Sequence, residues 1–172
     1  RALKIADLLL QKHWKVILIA CNSASAAAYE VMQHHVGQQA TVLNVIDPMV
    51  SYMKQHFKQK TIGLIGTQQT VQSGIFSKKV QALQQGIKLH VLATPLLAPM
   101  IEAGFTQGTI SEEVIRSYLQ SPTLASIQAL MLGCTHYPVI KSQIQAFYQN
   151  QIAVIDATDI TAHFLKDFLA KH

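Results

Sequence analysis

The chain has 172 residues, of which 49% are hydrophobic and 13% are charged, and its formal net charge at pH 7 is +5. This apolar content is sufficient for an ordinary folded core and excludes a largely disordered chain. No apolar stretch approaches the roughly 20 residues of a membrane-spanning helix. The 14 lysines and arginines are scattered, without a basic stripe interleaved with aromatic residues, so the sequence does not favour nucleic-acid binding.

Hydrophobic periodicity predicts that helices and strands alternate along the chain. Helices are predicted over residues 2–13, 24–34, 48–57, 66–85, 96–103, 109–119, 139–148 and 158–170. Apolar runs rich in β-branched residues predict strands over residues 15–20, 41–46, 61–65, 88–93, 127–132 and 152–155. This alternation predicts an α/β fold of mostly parallel sheets flanked by helices.

The only two cysteines of the chain occupy similar positions. Cys21 and Cys134 each end a predicted strand and are followed by small polar residues and a predicted helix. This likeness indicates two related halves with the cysteines facing a common cleft. The stretch 61–70 has no counterpart in the other half, and the chain starts with Arg1 rather than Met. We therefore expect a further segment upstream of Arg1.

A thiol at a strand end, beside the amide groups of a helix N-terminus, is predicted to have a lowered pKa and to adjoin an anion-binding site. Asn22, Ser23 and Thr135 add side-chain donors for a carboxylate. Two such binding sites could hold an acidic substrate between the two sulfurs. One sulfur could then remove a proton from a substrate carbon, and the other could return a proton to it. His136 and Glu102 are candidates for tuning or relaying that proton transfer.

Other interpretations of these residues remain open from the sequence. A cysteine at a strand end is often an inert core residue. His136 alone could be a helix-capping residue, and Glu102 alone a surface carboxylate. No metal site is expected, because neither cysteine has a second ligand at the usual spacing for zinc. The small number of cysteines indicates a reducing compartment, and hence the cytoplasm.

Four stretches resemble motifs of the bacterial glutamate racemases. They are residues 20–26 (ACNSASA), residues 132–138 (LGCTHYP), residues 62–67 (IGLIGT) with Thr70, and residues 95–102 (PLLAPMIE). The resemblance implies a cofactor-independent enzyme that interconverts L- and D-glutamate and supplies D-glutamate for peptidoglycan.

The resemblance also implies a role for each matching residue. Cys21 and Cys134 would be the catalytic proton donors and acceptors, assisted by His136 and Glu102. The substrate-binding residues would be Asn22, Ser23, Thr135 and His136, with Thr67 and Thr70 as second-tier contacts.

In the family, the active site lies between two pseudo-symmetric lobes, and a homodimer is one of its assembly states. Here the first lobe would comprise residues 1–46 and 152–172, and the second lobe residues 47–151. Ser23 stands where the family usually has Thr, and Ala157 where Ser is common. The family's opening strand, with an Asp-Ser pair that assists the first cysteine, has no match in this sequence. We therefore expect these 172 residues alone to be inactive or nearly so.

Two alternatives are left open by the sequence. The first is a racemase of the same fold acting on aspartate or another amino acid. His136 argues against aspartate, because the related aspartate racemases usually carry an acidic residue at this position. The second is a non-catalytic binding or regulatory relic of such an enzyme.

Overall fold

The computed structural model describes residues 1–171, which form alternating helices and strands. The strands are β1 (Val16–Ile19), β2 (Thr41–Asn44), β3 (Thr61–Gly66), β4 (Lys88–Ala93), β5 (Ala129–Gly133) and β6 (Ala153–Asp156). The helices are α1 (Ala2–Gln11), α2 (Asn22–Val36), α3 (Ile46–His56), α4 (Gln68–Gln72), α5 (Ile75–Ala82), α6 (Leu97–Glu102), α7 (Thr109–Leu119), α8 (Lys141–Phe147) and α9 (Ala157–Leu169). Short 3-10 helices cover Pro122–Leu124 and Tyr137–Ile140.

Every strand pairing in the described part of the chain is parallel, which confirms the predicted α/β fold. Strands β1 and β2 form a two-stranded sheet, and a second sheet has the order β4-β3-β5-β6. In the larger sheet, Gly66 of β3 lies opposite Ala93 of β4 on one side and Gly133 of β5 on the other. The carboxyl ends of these three strands therefore align at one edge, where open α/β sheets place their ligands.

The predicted long helix over residues 66–85 is wrong. The structure has two helices there, α4 and α5, separated by Gly74 with a φ of 65°. This left-handed conformation is accessible to glycine at little cost but interrupts a right-handed helix. Gly74 therefore redirects the chain between two short helices.

The sequence predicted that residues 152–172 group with residues 1–46. The structure contradicts this prediction for the strand in that segment. Strand β6 pairs with β5 inside the four-stranded sheet, so it belongs with the segment 47–151. Helix α9, which follows β6, packs against α3. The wider division of the chain into two lobes stays a prediction.

Burial differs between the two sheets. All five residues of β5 are buried, whereas three of the four residues of β1 are only partly buried. Two large apolar clusters cover the two faces of the four-stranded sheet, and a smaller third cluster joins α1, β1, α2 and β2.

Within residues 1–171, every helix is too short or too polar to span a bilayer.

Gly133→Ala tests how closely β5 approaches β3. A Cβ at Gly133 would lie 3.0 Å from the backbone oxygen of Ile65, so the two strands would have to separate. We expect the free energy of unfolding, measured in urea, to fall by about 1–3 kcal/mol. Gly63→Ala is the matched control, because the three atoms nearest to its Cβ would be side-chain ends of Leu124, Ile127 and Leu130, which can rotate, rather than backbone. An equal or larger loss for Gly63→Ala would contradict this explanation.

Candidate active site

The first cysteine lies at the amino end of α2. Cys21 is exposed and has an extended backbone as the N-cap residue. The backbone N–H of Ser25 donates to the Cys21 carbonyl at 2.8 Å, and the Ser25 hydroxyl donates to the Ile19 carbonyl at 3.0 Å. These two bonds fix the turn between β1 and α2, so that the thiol stands at the strand end as predicted.

Three hydroxyls connect the start of α2 to the segment that follows β3. The Oγ atom of Ser23 lies 2.7 Å from Oγ1 of Thr67 and 3.0 Å from Oγ1 of Thr70. Thr67 also caps α4 by accepting a hydrogen bond from the Thr70 N–H at 3.2 Å. The sequence suggested Thr67 and Thr70 only as second-tier contacts. The structure shows that both threonines bond directly to Ser23, although they are 44 and 47 residues away from it in the chain.

The second cysteine lies at the end of β5 and has an imidazole beside it. Cys134 is buried, and its Sγ atom lies 3.6 Å from Nδ1 of His136. The other ring nitrogen of His136, Nε2, lies 3.1 Å from Oε1 of Glu102 on α6. The structure thus brings three of the predicted catalytic residues into one chain of contacts, Glu102–His136–Cys134.

The expected lowering of the Cys134 pKa is wrong for this structure. Burial raises the pKa of the Cys134 thiol, and the negative charges of Cys21 and Glu102 add to that rise. The backbone N–H groups of His136 and Tyr137 favour the thiolate, as the sequence predicted, but they do not outweigh burial. Repulsion from Cys21 contributes less to this rise than burial does.

A cavity of about 360 Å³ lies where the two cysteine-bearing segments meet. Leu18 and Ala20 contribute from the β1 side, Cys134 and Thr135 from the β5 side, and Thr161 from α9. Its walls are mainly apolar, and Thr135, Thr158 and Thr161 supply hydroxyl groups. A larger cavity of about 560 Å³ lies between α3 and α9, and neither cysteine lines it.

Asn22 is the most unusual polar residue near Cys21. It is 1% exposed, and neither its amide nitrogen nor its amide oxygen has a hydrogen-bond partner within residues 1–171. A buried amide of this kind costs free energy unless something satisfies it. The sequence identified Asn22 as a carboxylate donor from its position after Cys21, but not its burial.

No group of three or more His, Cys, Asp or Glu side chains in the described residues is arranged to hold a metal ion. The Cys134 thiol lies beside His136, which is paired with a carboxylate. No imidazole or carboxylate within residues 1–171 is hydrogen-bonded to Cys21. The two thiols therefore have unequal surroundings in this chain.

Comparisons with known proteins extend the resemblance found in the sequence. Residues 1–165 match the family described as Asp/Glu/Hydantoin racemase. A glutamate racemase from Aquifex aeolicus (strain VF5) is 37% identical over 164 residues, which cover 95% of this chain and 62% of that protein.

Solved structures agree with that match. The glutamate racemase of Francisella tularensis subsp. tularensis SCHU S4, in complex with D-glutamate, has a TM-score of 0.89 at 32% identity and covers 99% of this chain. A glutamate racemase isoform from Bacillus anthracis has a TM-score of 0.90 at 29% identity and also covers 99%. This chain covers 62% and 63% of those two chains, so it spans less than two thirds of these relatives.

Glu102→Gln tests the electrostatic link between Glu102 and Cys134. Removing the Glu102 charge should lower the pKa of Cys134 and raise its rate of alkylation by iodoacetamide near neutral pH. Peptide mass spectrometry would follow Cys134 and Cys21 separately. Glu113→Gln is the control, because Glu113 is a similarly exposed carboxylate that faces Arg116 instead. Equal effects of the two substitutions on Cys134 would refute the link.

Proposed function

Since the chain belongs to the Asp/Glu/Hydantoin racemase family, we propose that the protein carrying it interconverts L- and D-glutamate without a cofactor. The observation that carries this proposal is the chain of contacts from Glu102 through His136 to Cys134. Glutamate is favoured as substrate because the similar proteins are named glutamate racemases.

The proposed reaction is a pair of proton transfers at Cα. One sulfur, as thiolate, removes the Cα proton from one face of the amino acid, and the other, as thiol, delivers a proton to the opposite face. One proton leaves the substrate and one arrives, and no electrons are exchanged. The two sulfurs finish with their protonation states interchanged, so the reverse reaction uses the same groups in opposite roles.

His136 would serve as the proton relay for Cys134. Burial raises the pKa of Cys134, so this thiol holds its proton at neutral pH and is suited to be a donor. To act as an acceptor, Cys134 must lose that proton, and Nδ1 of His136 is the nearest base at 3.6 Å. The Glu102 carboxylate, 3.1 Å from Nε2, would stabilise the imidazolium that forms.

Substrate carboxylates would bind to donors on both sides of the cleft. Asn22 and Ser23 would bind from the Cys21 side, and Thr135 and His136 from the Cys134 side. The unpartnered amide of Asn22 supports this assignment, because a bound carboxylate or amino group would supply the missing hydrogen bonds.

The biological setting is part of the proposal. We propose that the D-glutamate supplies peptidoglycan synthesis in the cytoplasm, which agrees with the two unpaired cysteines. A homodimer stays a prediction. We also propose that these 172 residues alone are inactive or nearly so, because Cys21 lacks a partner comparable to His136 among residues 1–171.

Replacing either cysteine tests the two-thiol mechanism in the protein that carries this chain. Cys21→Ala and Cys134→Ala should each reduce racemisation by about 10²- to 10⁴-fold, since each removes one of the two proton carriers. Exchange of the Cα proton with deuterated solvent should survive for one enantiomer in each variant, and for opposite enantiomers in the two.

Ser117→Ala is the control for these variants, because the Ser117 hydroxyl is exposed and, within residues 1–171, bonds only to the Val114 carbonyl. It should leave turnover unchanged. Full turnover by either cysteine variant would exclude the mechanism.

Aspartate is the second candidate substrate, because the matched family includes aspartate racemases. Its side chain is one methylene shorter, a difference that enzymes discriminate by about 10- to 200-fold. We expect glutamate to be racemised at least about tenfold faster than aspartate under identical conditions. Circular dichroism assays of both amino acids, run in parallel, would measure this ratio. Faster racemisation of aspartate than of glutamate would identify aspartate as the substrate.

A further inference from the structure

A buried pair of hydroxyls connects the turn after Cys134 to the end of β4. Tyr137 and Thr94 are both 0% exposed, and their hydroxyl oxygens lie 2.7 Å apart. The Thr94 hydroxyl donates to the Gly66 carbonyl at 3.2 Å, and the Tyr137 hydroxyl donates to the Thr94 backbone carbonyl at 3.2 Å. Burial raises the pKa of Tyr137, so its hydroxyl keeps its proton at every working pH.

These bonds run across the aligned ends of three neighbouring strands. Thr94 directly follows β4, Gly66 ends β3, and Cys134 directly follows β5. The Thr94 N–H also donates to the Gly66 carbonyl at 2.9 Å, so this carbonyl accepts two bonds from one residue. The Tyr137 side chain thus reaches back over β3 and ties the Cys134 turn to a point fixed by β3 and β4.

The segment held in this way carries the groups that act on the Cys134 sulfur. The Tyr137 N–H donates to the Cys134 carbonyl at 3.2 Å, which closes the turn. The backbone N–H groups of His136 and Tyr137 lower the pKa of Cys134, which favours its thiolate form, although burial outweighs them. His136, between them in the chain, places its imidazole 3.6 Å from that sulfur.

We propose that Tyr137 and Thr94 are positioning residues that hold the turn of residues 134–137 so that its N–H groups and His136 stay aligned on the Cys134 sulfur. This inference rests on the proposed racemase function for its kinetic consequence. Neither hydroxyl needs to touch substrate, because each acts through the backbone that carries Cys134 and His136.

Tyr137→Phe isolates the role of the hydroxyl, because phenylalanine keeps the buried ring. In the protein that carries this chain, we expect iodoacetamide to alkylate Cys134 about fivefold more slowly at neutral pH, the effect of one lost hydrogen bond. The midpoint of the pH profile of Cys134 alkylation should move upward, while Cys21 keeps its own profile. In the racemisation assay, kcat should fall by a similar factor and KM should change less than about twofold.

Thr94 provides a second and independent test. Thr94→Val removes the hydroxyl at nearly constant volume and should shift the Cys134 profile and kcat in the same direction as Tyr137→Phe. The shift should be smaller, because the Tyr137 hydroxyl keeps its bond to the Thr94 backbone carbonyl. Thr94→Ser keeps the hydroxyl and should restore the alkylation profile and kcat, even if the lost methyl lowers the melting temperature. A purely structural role would move the melting temperature of all three variants without moving the Cys134 profile.

Tyr148→Phe is the matched control. The Tyr148 hydroxyl is also buried, but it has no hydrogen-bond partner within residues 1–171, so its removal should leave both the Cys134 profile and kcat unchanged. Identical Cys134 profiles for Tyr137→Phe and Tyr148→Phe, or a downward shift for Tyr137→Phe, would overturn the proposal. A shifted profile in a protein that racemises neither amino acid would retain the positioning role and reject the proposed function.

Discussion

The alignment of β3 with β5 is the constraint on which the rest of the site depends. Gly66 and Gly133 lie opposite each other at the ends of these strands, where a Cβ on Gly133 would meet a backbone oxygen of β3. Because the strands are parallel and in register, the residues that follow them, Thr67 and Cys134, emerge side by side. Thr67 then bonds to Ser23 of α2, which brings the helix carrying Cys21 to the same edge of the sheet.

The chemistry of Cys134 is a balance between burial and backbone amides. Burial and nearby negative charge oppose the thiolate, whereas two N–H groups favour it. In the proposed reaction, these two N–H groups would reduce, without cancelling, the cost of forming the Cys134 thiolate. In the proposed reaction, the imidazole of His136, which contacts Glu102, would receive the Cys134 proton while the sulfur stays buried.

The sequence predicted the parts of this protein that depend on local pattern. The strands before Cys21 and Cys134 were recognisable as apolar runs ended by small polar residues, and the motif around His136 pointed to the family. The break at Gly74 was missed because an isolated glycine within a helical pattern does not reveal a positive φ. The partner of β6 was also missed, because strand pairing is decided by packing between distant segments.

The pKa of Cys134 illustrates the same limit in another form. The position of Cys134 before a helix could be predicted from the sequence, but the depth of its burial depends on residues far away in the chain. The same holds for the bond between Tyr137 and Thr94, which are 43 residues apart. Local sequence therefore indicated which groups take part, whereas long-range packing decided their energies.

The region around β1 has a practical consequence for anyone handling these 172 residues. Among residues 1–171, β1 pairs with β2 alone, and Ile5, Leu8 and Trp14 nearby in the chain are each more than half exposed. An unpaired strand edge beside exposed apolar side chains is a template for intermolecular sheet formation. The purified polypeptide should accordingly become turbid as its concentration rises, and a solubilising charge introduced on α1 should delay that onset.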